Sequence, residues 1–197
     1  TYIGSLQSDQ LRSFNILIKS KNKINSLKYK LQLFNNEDKD KANYELHFKI
    51  SINEKDKMRF EMLNLLKELT KLSWNPEKVN YTDIQSKINI LINIFDFKLK
   101  NLEDKSNKDY ITGLKEDLEG EVTKAFKNEK DYTKWGRHYI PALYHSHLFQ
   151  VCSNFKDPGL QFYGGEKFNI IRDVADDIFN NLPPPKPTNP KPNYRGG

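Results

Sequence analysis

At Asn53 the hydrophobic pattern of this chain changes period, and that change dictates most of what it can fold into. Before it, apolar residues recur at every second position, the spacing of a strand with one buried face. Phe14, Ile16 and Ile18 form one run; Leu27, Tyr29, Leu31 and Leu33 form a second; Tyr44, Leu46, Phe48, Ile50 and Ile52 form a third. Polar stretches at 20–23 and 35–41 separate the runs, which predicts antiparallel neighbours, and 2–6 reads as an edge strand. Three or four strands with one apolar face need a layer to cover it.

After Asn53 the spacing is helical. Met58, Met62, Leu65, Leu66, Leu69 and Leu72 share one face, and Pro76 bars continuation of that helix. Ile84, Ile88, Leu91, Ile92, Phe95 and Leu99 repeat the pattern, with Thr82 or Asp83 as the expected N-cap. Ile111, Leu114, Leu118, Val122 and Ala125 make a third stripe, weakened by Gly113 and Gly120. A fourth helix is predicted from Ile140, with Pro141 in its first turn, to about Asn154. The fifth is predicted over 166–182, with Phe168, Ile171, Val174, Ala175, Ile178 and Leu182 facing inward. The expected fold class is therefore α+β. It comprises a sheet layer over 1–52, a helical bundle over 53–182, and a proline-rich extended tail over 183–197.

Composition narrows the function classes. Hydrophobic residues make up 37% of the chain, enough for a core, and one cysteine excludes an internal disulfide framework. An intracellular, cytoplasmic setting is expected on that ground. The net charge of +6 is uneven. Residues 1–52 carry nine bases against five acids, and the tail adds Lys186, Lys191 and Arg195 with no acid. The lysines alternate with apolar residues instead of forming a stripe with aromatics and glycines, so a nucleic-acid partner is not expected. No apolar run reaches the ~18 residues of a membrane span, and no secretory signal opens the chain. Without an initiator methionine, the chain is expected to be excised from something longer.

The densest run of rare residues is 135–165, which holds Trp135, three of the four histidines, Cys152 and four of nine glycines. His138, His145, His147 and Cys152 invite a metal site, yet on a helix His145 and His147 point about 200° apart. Zinc ligands must converge, and neither an HxxxH nor a CxxC pair is present, so no metal or other cofactor is expected. Cys152 has no histidine one turn away to act as its base, so it reads as a small core residue and no catalytic residue is assigned. Asp173, Asp176 and Asp177 lack the loop and spaced oxygens of a calcium site and read as a solvated face. Pro183, Pro184, Pro185, Lys186 and Pro187 contain a PxxP match, readable by an SH3-type groove or simply a stiff tether. Gly196-Gly197 is either a flexible boundary or an unobstructed carbonyl suited to a cleavable bond.

The pattern WGxHY…H…Q.C.NFKDPG.Q.YGG, followed by RDxADDIF and LPPPKP, resembles a region of proteins that combine a von Willebrand factor A domain with a Hint autoprocessing domain. Its residues here include Trp135, Gly136, His138, Tyr139, His147, Gln150, Cys152, 154–159, Gln161, 163–165, Arg172, Asp173, 175–179 and 182–187. The opening IGSLQSDQLRSFNILIK is similar to that family's strand after the A domain, with Asp9 where the family has glycine. The resemblance implies partners within a precursor: an A domain upstream and a Hint domain downstream, whose nucleophile would follow Gly197. The sheet layer would then belong to a sandwich completed by upstream sequence. The glycine- and aromatic-rich block, including Asp157, Pro158, Gly159, Gly164 and Gly165, would be a structural corner. The expected function is a non-enzymatic interaction and assembly module with a Gly-Gly end left by, or presented for, autoprocessing. The alternative is a structural subunit of a cytoskeletal or ciliary assembly, docking through its tail and basic sheet edge.

Overall fold

The computed structural model describes residues 28–34, 41–47, 53–152 and 157–184. Two strands, β1 (Lys28–Phe34) and β2 (Lys41–His47), pair antiparallel. Their register sets the apolar positions of the two segments opposite one another: Tyr29 with Leu46, Leu31 with Tyr44, Leu33 with Ala42. The strands expected at 2–6 and 14–18, and the continuation over 48–52, lie outside the described residues.

From Asn53 onward the described chain is helical throughout, in the order α1 (Glu54–Leu72), α2 (Tyr81–Lys100), α3 (Lys105–Asp117), α4 (Thr123–Ala125), α5 (Glu129–Asp131), α6 (Arg137–Phe149), α7 (Pro158–Gln161) and α8 (Glu166–Asn181). The α+β expectation is corrected accordingly. Period-two alternation licenses a local ladder, but a sheet layer needs more strands and a face packed on the core. Among the described side chains, the core cluster is built by helices and their connections.

Local chemistry sets the helix boundaries. Asn53 caps α1 by accepting from the Lys55 N–H at 3.2 Å, with Glu54 and Asp56 in the positive first turn. Asn80 caps α2, accepting from the Asp83 N–H at 3.2 Å, so Asp83 is the recipient of the cap and not the cap itself. Asp104 does the same for α3 through Ser106. Met58, Met62, Leu66 and Leu69 of α1 meet Ile88, Leu91 and Phe95 of α2 and Ile111 and Leu114 of α3 in one cluster. At roughly 1.5–3 kcal/mol for each large apolar side chain removed from water, this packing dominates the stability of the body.

Two wide turns bend the chain around that core. α3 runs into a π turn, Leu118–Val122, where Gly120 leaves helical geometry and Thr123 Oγ1 donates to the Leu118 carbonyl at 2.7 Å. A second π turn, Tyr132–Gly136, joins α5 to α6. The fourth helical region thus begins well before Ile140, and Pro141 lies inside α6, not in its first turn. The helix also ends before Asn154: Gln150 adopts φ 51°, ψ 50° and Val151 N–H closes back on the Ser146 carbonyl at 2.9 Å.

The last correction concerns α8. Its span was read correctly but its orientation was not. Ile171, Val174 and Ile178 are 69%, 55% and 58% exposed, and only Phe168 packs against the core. Ile90, Ile94 and Phe97 of α2 are exposed as well.

Candidate functional site

The histidine of α6 that faces inward is the centre of a buried polar network. His147 Nε2 stands 3.1 Å from Asp117 Oδ2 at the end of α3, and both side chains are fully buried. The other carboxylate oxygen accepts the Gly159 N–H at 3.1 Å, which ties the start of α7 to α3. His147 Nδ1 lies 2.8 Å from the Tyr163 hydroxyl, itself 3.1 Å from the Tyr110 hydroxyl. One direction of donation satisfies every member. Nε2–H donates to Asp117, Tyr163 O–H donates to Nδ1, and Tyr110 O–H donates to Tyr163. Arg59 reaches in from α1 and donates to the His147 carbonyl at 3.2 Å. Burial pushes the Tyr110 phenol up to about 12 and raises Tyr163 well above its ordinary value.

The chain approaches closely where these elements meet. A Cβ on Gly159 would collide with the Asp117 carboxylate, and one on Gly136 would sit 2.9 Å from Ala125 Cβ. Glycine is what lets Asp117 take the Gly159 amide and lets the second π turn lie against α4.

The residues of the 135–165 block divide by environment. Trp135 and Tyr139 are half-buried and meet edge to face at 5.7 Å between centroids. Tyr139 donates to Asp157 Oδ1 at 2.7 Å; burial, then this bond, holds the proton on the phenol. Asp157 is raised above its usual range chiefly by burial, with the Tyr139 bond opposing. His138 and His145 are exposed, and His145 stacks on Phe149. Cys152 lies past the end of α6, buried in the core cluster, with its thiol pushed up by burial against the lowering effect of Arg172. Arg172 joins α8 to the corner by donating to Gln161 Oε1, and it also pairs with Asp173 at 2.8 Å. Gly165 caps α8, Gly164 packs close to Asn169, and Pro158 is exposed. Pro183 and Pro184 are exposed beyond α8, while Pro185, Lys186, Pro187, Gly196 and Gly197 lie outside the described residues.

Sequence reasoning gave His147 no role beyond the pattern it shares, and it passed over Asp117, Tyr110 and Arg59 entirely. The signal for Asp117 was an acid three residues after Leu114, at a position that continues the apolar stripe of α3. Chemically the network holds parts together. Both imidazole nitrogens are occupied by the protein, and Asp117, His147 and Tyr163 are shut off from solvent. Among the described residues no group of three or more histidine, cysteine, aspartate or glutamate side chains converges as metal ligands. Nor is any described helix long and apolar enough to cross a membrane.

Beside the network opens a cleft of about 500 Å³ whose walls include Glu116, Glu121, Trp135, Tyr139, Asp157 and Pro158. Aromatic faces and carboxylates line a common space there.

No match is found among curated proteins or among solved structures. Residues 108–177 match the family model described as VWA / Hh protein intein-like; the matched span takes in most of α3, the whole corner and most of α8, and leaves the opening strand pattern outside.

Proposed function

We propose that this chain is a non-enzymatic interaction and assembly module of a von Willebrand A/Hint-type protein. Its partners are the neighbouring domains of the same precursor. The observation that carries this reading is α8. Ile170, Ile171, Val174, Ile178, Phe179 and Leu182 leave a wide apolar face on the surface. A helix of this length gains most of its stability from packing, so such a face serves a partner. The neighbouring corner supports an architectural role, because Asp117, His147, Tyr163 and Tyr110 bond to one another. In this reading Gly196 and Gly197 form the end left by, or presented for, Hint autoprocessing.

Hydrogen exchange tests the proposal. In the natural full-length polypeptide the amides of α8 are expected to exchange about tenfold or more slower than in the isolated chain. Ile171→Asp with Ile178→Asp should abolish that protection while leaving α1 and α3 unchanged. Equal exchange of α8 in both settings would remove the interaction reading. The intact mass of the natural product separately shows whether Gly197 is a processed terminus.

A further inference from the structure

The cleft beside the corner has a chemistry of its own. Trp135, Tyr139 and Pro158 supply apolar walls, and Glu116, Glu121 and Asp157 supply carboxylates. No lysine or arginine is among the residues lining it. Aromatic faces attract cations, and aromatic-lined grooves accept the preformed polyproline II conformation. The matching ligand is a basic side chain carried on a proline-containing segment.

We propose that the cleft is occupied by this chain's own tail, with Lys191 or Arg195 placed against Trp135 and the carboxylates. The tail is complementary in charge, since residues 183–197 contain Lys186, Lys191 and Arg195 and no acid. It is also complementary in kind, since prolines flank Lys191 on both sides. Reach selects among the three cations. α8 begins beside the cleft, because Gln161 Nε2, just ahead of it, donates to the Asp157 carbonyl at 3.2 Å. The helix spans 16 residues, which carries the chain at most ~24 Å away. Extended at ~3.1 Å per residue, the tail covers even that maximum by Lys191 and by Arg195, whereas Lys186, ~15 Å beyond the helix end, reaches only part of it. This inference goes beyond the assembly reading and does not depend on it, since it concerns the cleft and not the apolar face of α8.

The test uses the full chain carrying Trp74→Phe. Trp74 is 84% exposed, and removing it leaves Trp135 as the sole indole. Lys191→Glu with Arg195→Glu should raise acrylamide quenching of Trp135 about twofold, and high salt should do the same in the parent. Glu116→Lys with Glu121→Lys should reproduce the effect, and combining the two charge reversals should restore most of the protection. Quenching that is unchanged by the tail reversal overturns the proposal. So does protection that grows with protein concentration, which would place the tail in the cleft of a second copy.

Discussion

α6 and most of α8 lie within one stretch of sequence similarity, yet only α6 is built into the core. α6 buries Ile140, Leu143 and His147, a modest apolar load. α8 carries Ile170, Ile171, Val174, Ile178, Phe179 and Leu182 on or just past its surface and buries none of its residues. Hydrophobic content therefore does not decide which helix docks. α6 is fixed by features with a definite geometry. Gly136 admits Ala125 at its N-terminal end, His147 bridges Asp117 and Tyr163, and Arg59 holds the His147 carbonyl. α8 is tied to the corner by Arg172, which donates to Gln161, and by Phe168 against the core, while its exposed apolar side chains are left uncovered by the described residues. The uncovered side chains forgo roughly 1.5–3 kcal/mol each relative to full burial.

The sharpest way to break this contrast is to damage both helices and compare. His147→Ala leaves the buried Asp117 carboxylate with the Gly159 amide but without its imidazole donor. Leaving that buried acceptor short of a donor costs about 1–3 kcal/mol or more, and the emptied imidazole volume adds to the loss. Gly159→Ala should act at the same point, by driving a methyl group into that carboxylate. Ile178→Asp, by contrast, should change stability by no more than about 0.5 kcal/mol, as exposed substitutions do. Urea denaturation measures all three. A loss of several kcal/mol for Ile178→Asp would mean that α8 packs on its own chain in solution, and the contrast would fail.

The sequence made the α1 and α2 stripes legible because their buried positions, Arg59 excepted, are large apolar residues at helical spacing. The α5–α6 region hid the same stripe. Its buried positions are Tyr132, Gly136, Ile140, Leu143 and His147, and two of those five are residues that a hydrophobicity reading discards. Glycine marked a turn in that reading, whereas here it marks a close approach between helices. Asp117 was invisible for a related reason: a buried carboxylate is recognised by its partners, which come from α6 and α7 far along the chain. The outward face of α8 was misread for the opposite reason. Amphipathicity shows that a face is meant to be covered, but not by what.

A smaller effect separates packing from hydrogen bonding inside the corner. Tyr163→Phe keeps the ring against Tyr110 and His147 but removes the donor to His147 Nδ1, a buried loss worth about 1–3 kcal/mol at neutral pH. The same residues contribute to the alkaline limit. Tyr110 and Tyr163 hold their protons more tightly when folded than when unfolded, where the ordinary phenol value is 10.0. Their contribution is therefore intact below that value and is lost as pH rises through it toward the folded values. Thermal midpoints followed above pH 10 should fall in the parent and fall less steeply in Tyr110→Phe/Tyr163→Phe. A parallel fall in both would assign the alkaline loss to other groups.

The smallest expected effect sits at the edge between the two regions, on Asp157. Burial raises its carboxyl in the folded chain, so the folded state binds that proton more tightly than the unfolded state does. The stabilisation is fully present below the unfolded value of 3.8 and disappears as pH rises through the folded one. Asp157→Asn keeps an oxygen to accept from Tyr139 while removing the titration. Its stability relative to the parent should therefore improve from acid to neutral pH, by a modest amount because the group is partly solvated. That sign holds for a cleft without a bound cation. With Lys191 or Arg195 seated beside it, the ionised carboxylate gains a partner and the neutral-pH advantage of asparagine shrinks or reverses. Reversing the tail charges should then restore it, so the pH profile of this one variant, read with and without a basic tail, reports on what fills the cleft.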